Sequence, residues 1–340
     1  MNSVNLVNQF RIFTFIETVY MYQMKSVLKF ILVGLTSFLF VFCSSFTSEE
    51  EEQQIITPIV VNPTSGPASN FDLKTWNLSI PDNNGSGVAK TITVLALNQN
   101  YQNDKYFYSA DDQGMVFKCF VDGFKTSANT SYTRTELREM LRGTNTGINT
   151  QGVNKNNWVF GSAPIADKNA AAGFDGEMNA TVAVNYVTIT GSSSQVGRVI
   201  IGQIHANDDE PVRLYYRKLP TNELGSIYIA HEPRDGFGSE QWYDMIGSRS
   251  NSASNPTDGI ALDEKFSYKI KTVNNILTVT ISRPEKPDVV KEVDMTNSGY
   301  DVGGQYMYFK AGVYNQNNSG NASDYVQATF YKLEKSHTTN

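Results

Sequence analysis

The sequence predicts an all-β chain, a jelly-roll antiparallel β-sandwich with a concave groove on one sheet. Segments that alternate apolar and polar residues recur from near Phe71 almost to the C-terminus, and clusters of Asn, Gly, Asp and Ser separate them. The composition agrees, with 18 Tyr, 19 Phe and little apolar spacing of the helical kind. Only 18% of residues are charged, against roughly 25% in an average chain, so Asn, Ser, Thr and Tyr are expected to build much of the surface. A length of 340 residues suits one large β domain of about 250 residues with an export segment before it.

Residues 1–43 read as an N-terminal extension and export signal. From Met24 to Cys43 two lysines precede the apolar run Phe30 to Phe42. That run is shorter than the about 20 residues that span a bilayer and matches a signal-peptide core. An acidic tether with Glu49 to Glu52 follows Cys43, an arrangement that resembles bacterial lipoproteins with a lipidated thiol. The expectation is an exported protein, either secreted or held at the outer membrane by a lipid on Cys43. Residues 44–69 form an acidic, Pro-containing linker, and residues 70–336 the folded domain, which is expected to be monomeric.

The alternating segments in order are KTITVLAL, YFYSADDQGMVFKCFVDG, GEMNATVAVNYVTI, RVIIGQIHA, VRLYYRKL, SIYIAHE, FSYKIKTVNNILTVTIS, YMYFKAGVYNQ and YVQATFYKLEK. The pair Asn274–Asn275 marks a hairpin turn. Pro233 to Ile260 reads as a long connection rich in Gly, Ser and Asn. Such a segment either folds over one end of the groove, favouring attack near chain ends, or is a plain surface loop.

Charge and chemistry exclude several functions. The net charge of −6 makes nucleic acid an unsuitable partner, and an anionic substrate must be met by a local basic cleft. The three histidines, His205, His231 and His337, have no zinc-type spacing, so no metal cluster is expected. Cys119 alternates within VFKCFVDG as a buried free thiol would.

Three segments carry chemistry on one strand face, since residues at i, i+2 and i+4 project together. Arg134, Glu136 and Arg138 share one side of YTRTELREM, and Gln203 and His205 share one side of VIIGQIHA. In YFKAGVYNQ, Tyr308, Lys310, Gly312, Tyr314 and Gln316 oppose Phe309, Ala311 and Val313. Taken singly, each has an ordinary structural reading, as a solvated charge ladder, a structural Gln-x-His or strand aromatics. Together they make a groove suited to carboxylated sugars, because Arg and Lys pair with carboxylates and Tyr offers a flat face with a hydroxyl. Glu136 should orient its two arginines, and Gly312 should leave room for a sugar ring.

RTELR at 134–138, QIH at 203–205 and YFKAGVYNQ at 308–316 resemble, in order, the three signature motifs of polysaccharide lyase family 7, the jelly-roll alginate lyases. The resemblance runs from about Phe71 to Lys335, and the segment Pro233 to Ile260 departs from it by its length. It implies cleavage of 4-O-linked uronate chains by β-elimination, leaving 4,5-unsaturated uronate ends, with alginate as substrate and no cofactor. It also implies catalytic roles for Arg134, Gln203, His205 and Tyr314, and a substrate-binding or supporting set of Glu136, Arg138, Tyr308, Lys310 and Gln316. QIH in place of QVH is associated in the family with guluronate-containing stretches. The alternatives are a non-catalytic carbohydrate-binding jelly roll and a lyase for another polyuronate such as glucuronan.

Overall fold

The computed structural model describes residues 65–339. The export segment, Cys43 and the linker up to residue 64 lie outside the described residues. The strands are β1 (Trp76–Asn83), β2 (Ala89–Ile92), β3 (Phe107–Ser109), β4 (Met115–Phe120), β5 (Arg134–Glu139), β6 (Trp158–Val159), β7 (Gly173–Tyr186), β8 (Arg198–His205) and β9 (Val212–Arg217). They continue with β10 (Leu224–His231), β11 (Gln241–Ile246), β12 (Ile260–Ala261), β13 (Lys265–Val273), β14 (Ile276–Ser282), β15 (Val289–Asp294), β16 (Tyr308–Asn315) and β17 (Tyr325–Thr338). The two short α-helices are α1 (Val94–Asn98) and α2 (Ile165–Ala170).

These strands form two sheets packed as a sandwich. The first runs β11-β10-β9-β8-β16-β5-β1-β2, with β12 beside β10; the second runs β15-β14-β13-β7-β17-β4-β3, with β6 beside β7. The late strands enter the middle of each sheet, β16 between β8 and β5, and β17 between β7 and β4. The insertion of β16 makes the three chemically decorated segments direct neighbours. All pairs are antiparallel except β6 with β7.

Alternation explains which faces meet. Phe309, Ala311 and Val313 of β16 and Leu137 of β5 point inward and are fully buried, facing a core that includes Phe117, Val182, Tyr268 and Phe330 of the second sheet. Truncating one such aromatic costs about 3–5 kcal/mol through lost burial and the cavity left behind. The Tyr268 hydroxyl donates to Ile201 O at 2.9 Å across the sandwich, and a side chain at Gly202 would meet that hydroxyl at 2.9 Å. Cys119 is a buried free thiol whose pKa burial pushes up to about 12.

Several expectations need correction. KTITVLAL is not one strand: β2 stops at Ile92, and α1 begins where the Thr93 side chain accepts from Ala96 N at 3.2 Å. Val94 and Leu97, three apart, then bury one helical face. YFYSADDQGMVFKCFVDG is a hairpin of β3 and β4, turned by Gln113 at φ 65. The segment 233–260 is not a bare connection, since β11 extends the first sheet beside β10. Ordered contacts also begin inside the expected linker, where Pro67 is buried and Ser109 Oγ donates to Ser65 O at 2.9 Å. The turn at Asn274–Asn275 forms as expected, pairing Val273 with Ile276.

Candidate active site

The register of the first sheet sets the site. Lys310 of β16 lies opposite Arg138 of β5 on one side and Gln203 of β8 on the other; Tyr314 lies opposite Arg134, and Tyr308 opposite His205. Arg134, Arg138, Gln203, His205, Tyr308, Lys310 and Tyr314 therefore occupy one patch of the outer face. An open sheet face would leave them exposed, yet Gln203 is 0% and Lys310 6% exposed, so the patch is recessed.

Glu136 is the hub of this patch. It is 1% exposed, and it accepts from Arg134 Nη1 at 3.1 Å, from Lys310 Nζ at 2.5 Å and from Gln203 Nε2. With both oxygens occupied by cations and an amide, Glu136 does not belong with the substrate-contacting set; it aims the three donors and compensates their charge. Two polar atoms are left over. Arg134 Nε and Gln203 Oε1 are buried without a hydrogen-bond partner in the protein, a cost that a polar ligand would relieve.

Aromatic rings set the remaining geometry. Arg134 Cζ lies 3.7 Å from the centroid of the Tyr314 ring, and Arg138 Cζ 3.9 Å from that of Tyr308. His205 stacks on Tyr308 with centroids 4.9 Å apart, and Tyr132 packs edge-on against Tyr314 at 6.2 Å. Arg138 is tethered by donation from Nη2 to Thr150 O at 2.8 Å. Gln316 lies just beyond β16, 6% exposed, with Nε2 unpartnered.

The family profile described as alginate lyase matches residues 71–337. The chain belongs to that family. It is similar to an alginate lyase of Klebsiella pneumoniae, 56% identical over 279 residues that cover 80% of this chain and 91% of the relative. The crystal structure of an alginate lyase from Klebsiella pneumoniae superposes with a TM-score of 0.79 at 55% identity, over 80% of this chain and 98% of that one. The alginate lyase A1-II′, a member of polysaccharide lyase family 7, gives a TM-score of 0.58 at 26% identity, over 81% and 100% of the two chains.

In this alginate lyase fold the charged cluster around Glu136 shifts the titration of its members and neighbours. Burial, reinforced by Arg134, pushes the Lys310 ammonium down to about 8, while Glu136 works the other way. Burial is the largest influence and works against the Arg134 charge, but Glu136 together with Tyr314, Glu210 and Tyr308 outweighs it and holds the guanidinium above its ordinary range. Burial raises the Tyr314 hydroxyl despite Arg134 beside it, so the phenol is protonated at neutral pH. Burial and the Lys310 charge lower His205 to about 3, leaving a neutral imidazole.

Sequence reading missed Glu210. It sits in the β8–β9 connection with Oε1 at 3.3 Å from His205 Nε2, and its Oε2 is 3.8 Å from Arg213 Nη1. Its only signal in the sequence was an acidic run, Asp208 to Glu210, five residues or fewer past His205, which by itself reads as a solvated loop. Gly312 was noticed for the wrong reason. Its φ is +140, and a side chain there would meet Thr135 O at 2.6 Å and Glu136 Cα at 2.9 Å. The glycine therefore serves the irregular β16 pairing between Ala311 and Tyr314 rather than room for a sugar.

Proposed function

We propose that this chain is an alginate lyase that cuts 4-O-linked uronate chains by β-elimination, releasing 4,5-unsaturated uronate ends. The observation that carries this reading is the recessed patch that joins Arg134, Gln203 and Lys310 around Glu136, with Tyr314 and His205 beside them, in a chain of the alginate lyase family. The C5 proton of a uronate is barely acidic while the carboxylate is unneutralised, because its removal places a second negative charge on the same group. Donors held in place before the reaction lower that barrier most. Arg134 supplies the fixed positive charge, with its unpartnered Nε available. One amide hydrogen of Gln203 is engaged by Glu136, and the second remains for the substrate carboxylate.

Tyr314, protonated at neutral pH, donates to the departing C4 oxygen. At guluronate the C5 proton and C4 oxygen lie on opposite ring faces, so His205 serves as the base and Tyr314 as the acid. At mannuronate both lie on one side, and Tyr314 performs both transfers. Lys310, Arg138, Tyr308 and Gln316 hold neighbouring uronates or brace these groups. A variant of A1-II′ with one histidine and one tyrosine replaced was crystallised with the substrate GGMG, which supports the choice of that residue pair. We further propose a preference for guluronate-containing stretches, on the QIH motif, and export directed by Met24 to Cys43.

The reading is tested by digesting alginate in water enriched in ¹⁸O and weighing the products. Elimination yields oligomers one water lighter than hydrolysis products, whatever label the free anomeric hydroxyl exchanges from solvent. Products at the full hydrated mass would refute the lyase assignment.

A further inference from the structure

His205 has one ring nitrogen committed and one facing an acid. Nδ1 lies 2.6 Å from Ala206 O, a carbonyl that only accepts, so Nδ1 carries the ring proton. Nε2 then presents its lone pair to Glu210 Oε1 at 3.3 Å. Two lone pairs at this distance repel, so the contact is favourable only when a proton lies between them. A protonated Glu210 has two acceptors in reach, the Glu232 carboxylate with which it shares a hydrogen bond and His205 Nε2; when its hydroxyl donates to Nε2 the imidazole is blocked as a base.

We propose that Glu210 is the positioning residue for His205, and that loss of the Glu210 proton frees Nε2 to receive the C5 proton of the substrate. This rests on the reading of His205 as base at guluronate. In the step, the C5 proton moves to Nε2 and the C5–H electron pair becomes the C4=C5 double bond. The C4–O bond breaks, and the leaving oxygen takes the Tyr314 hydroxyl proton. The new imidazolium faces the Glu210 carboxylate, which stabilises it until solvent carries the proton back to the Tyr314 phenolate.

The surroundings of Glu210 suit such a switch. The charged groups that face the pair are Arg213 of β9, Glu232 just past β10, Lys310 of β16, and Arg134 and Arg138 of β5. Arg213 is shared with Glu232 at 3.1 Å and with Glu240, so it cannot give Glu210 its full charge. Burial therefore prevails, aided by Glu232, and raises the Glu210 carboxyl to about 7. The neutral–acid and free–base forms of the pair consequently exchange near physiological pH.

The test compares wild type, Glu210→Gln and Glu210→Asp on polyguluronate and polymannuronate across pH. Wild-type kcat on polyguluronate should fall on the acid side of pH 7. In Glu210→Gln the amide donates to Nε2 at every pH, so kcat on polyguluronate should drop about 10–100-fold, somewhat less than for loss of a general base itself, and the acid limb should disappear. KM and the rate on polymannuronate should change by no more than about twofold. Glu210→Asp should restore part of kcat together with the limb. A Glu210→Gln enzyme that keeps wild-type kcat and its acid limb, or one that loses through KM equally on both polymers, overturns the proposal. Where Glu210→Gln does not fold, ¹⁵N-histidine NMR of wild type decides. An Nε2 signal that shifts as Glu210 titrates supports the link, and one blind to pH in that range overturns it. A wild type that forms no unsaturated product overturns the functional reading as well, whereas an active wild type with an indifferent Glu210→Gln overturns the link alone.

Discussion

Glu139 and His337, 198 residues apart in the chain, meet at 2.8 Å beneath the active face. The fully buried Glu139 carboxylate also accepts from Lys335 Nζ at 2.7 Å, Trp158 Nε1 at 3.1 Å and Phe309 N at 3.0 Å. One side chain thereby joins β5 and β16 of the first sheet to β17 of the second. Burial alone would raise its pKa, but Lys335 and His337 outweigh that and hold it well below the carboxylate range. Because the folded pKa is depressed, the stabilisation is present above the unfolded value of about 4.3 and is lost as pH falls toward the folded value. Glu139→Ala should cost about 3–5 kcal/mol in urea unfolding at pH 7, leaving the buried Lys335 ammonium unpaired. The deficit should shrink below pH 4 or so; a deficit independent of pH would remove the charge from the explanation.

Glu136 makes a different kind of pair with Lys310, one in which the partner is nearly as buried. Glu136→Gln should destabilise the fold and cut kcat, since Lys310 and Arg134 then face each other uncompensated. Adding Lys310→Met should recover much of the stability but not the activity, because it removes the stranded charge without restoring the aimed donors. Thermal unfolding of the two variants checks this. A double variant less stable than Glu136→Gln would show that Lys310 is not the stranded group.

Much of this was legible in the sequence, and the misses have physical causes. The strand alternation of YFKAGVYNQ assigned Phe309, Ala311 and Val313 to the core and Lys310 and Tyr314 to the outer face, since period 2 is imposed by the pleat. That β16 would lie between β8 and β5 was not readable from pattern, because strand order depends on contacts far apart in the chain. The same distance hid the Glu139–His337 contact. Glu210 was hidden because loop residues carry no period to say which way they face. The α1 helix was lost to its neighbours Thr91, Ile92, Thr93 and Val94, whose β-branched side chains favour a strand until the Thr93 cap intervenes.

For catalysis, Tyr314→Phe should keep the fold and lower kcat by about 10²–10⁴-fold on both guluronate and mannuronate blocks. Arg134→Ala should lower kcat more than it raises KM, because the charge that Arg134 meets grows in the transition state. Steady-state kinetics on defined blocks separate the two roles. A higher KM with unchanged kcat for Arg134→Ala would make it a binding residue instead.

Gly312→Ala tests the β16 irregularity. At φ +140, with the β5 backbone at 2.6 Å, a methyl group forces the strands apart, at a cost of about 1–3 kcal/mol for the backbone strain. Because Tyr314 is two residues on, activity should fall further than stability. A variant with wild-type kcat would show that the pairing tolerates the shift.

The central claim, elimination at the uronates of alginate, is met most directly by incubating the enzyme with polyguluronate, polymannuronate and glucuronan and following ultraviolet absorbance of the unsaturated product. The account predicts a rise on the alginate blocks, steeper on polyguluronate, and none that depends on glucuronan. A flat trace on both alginate blocks would contradict it.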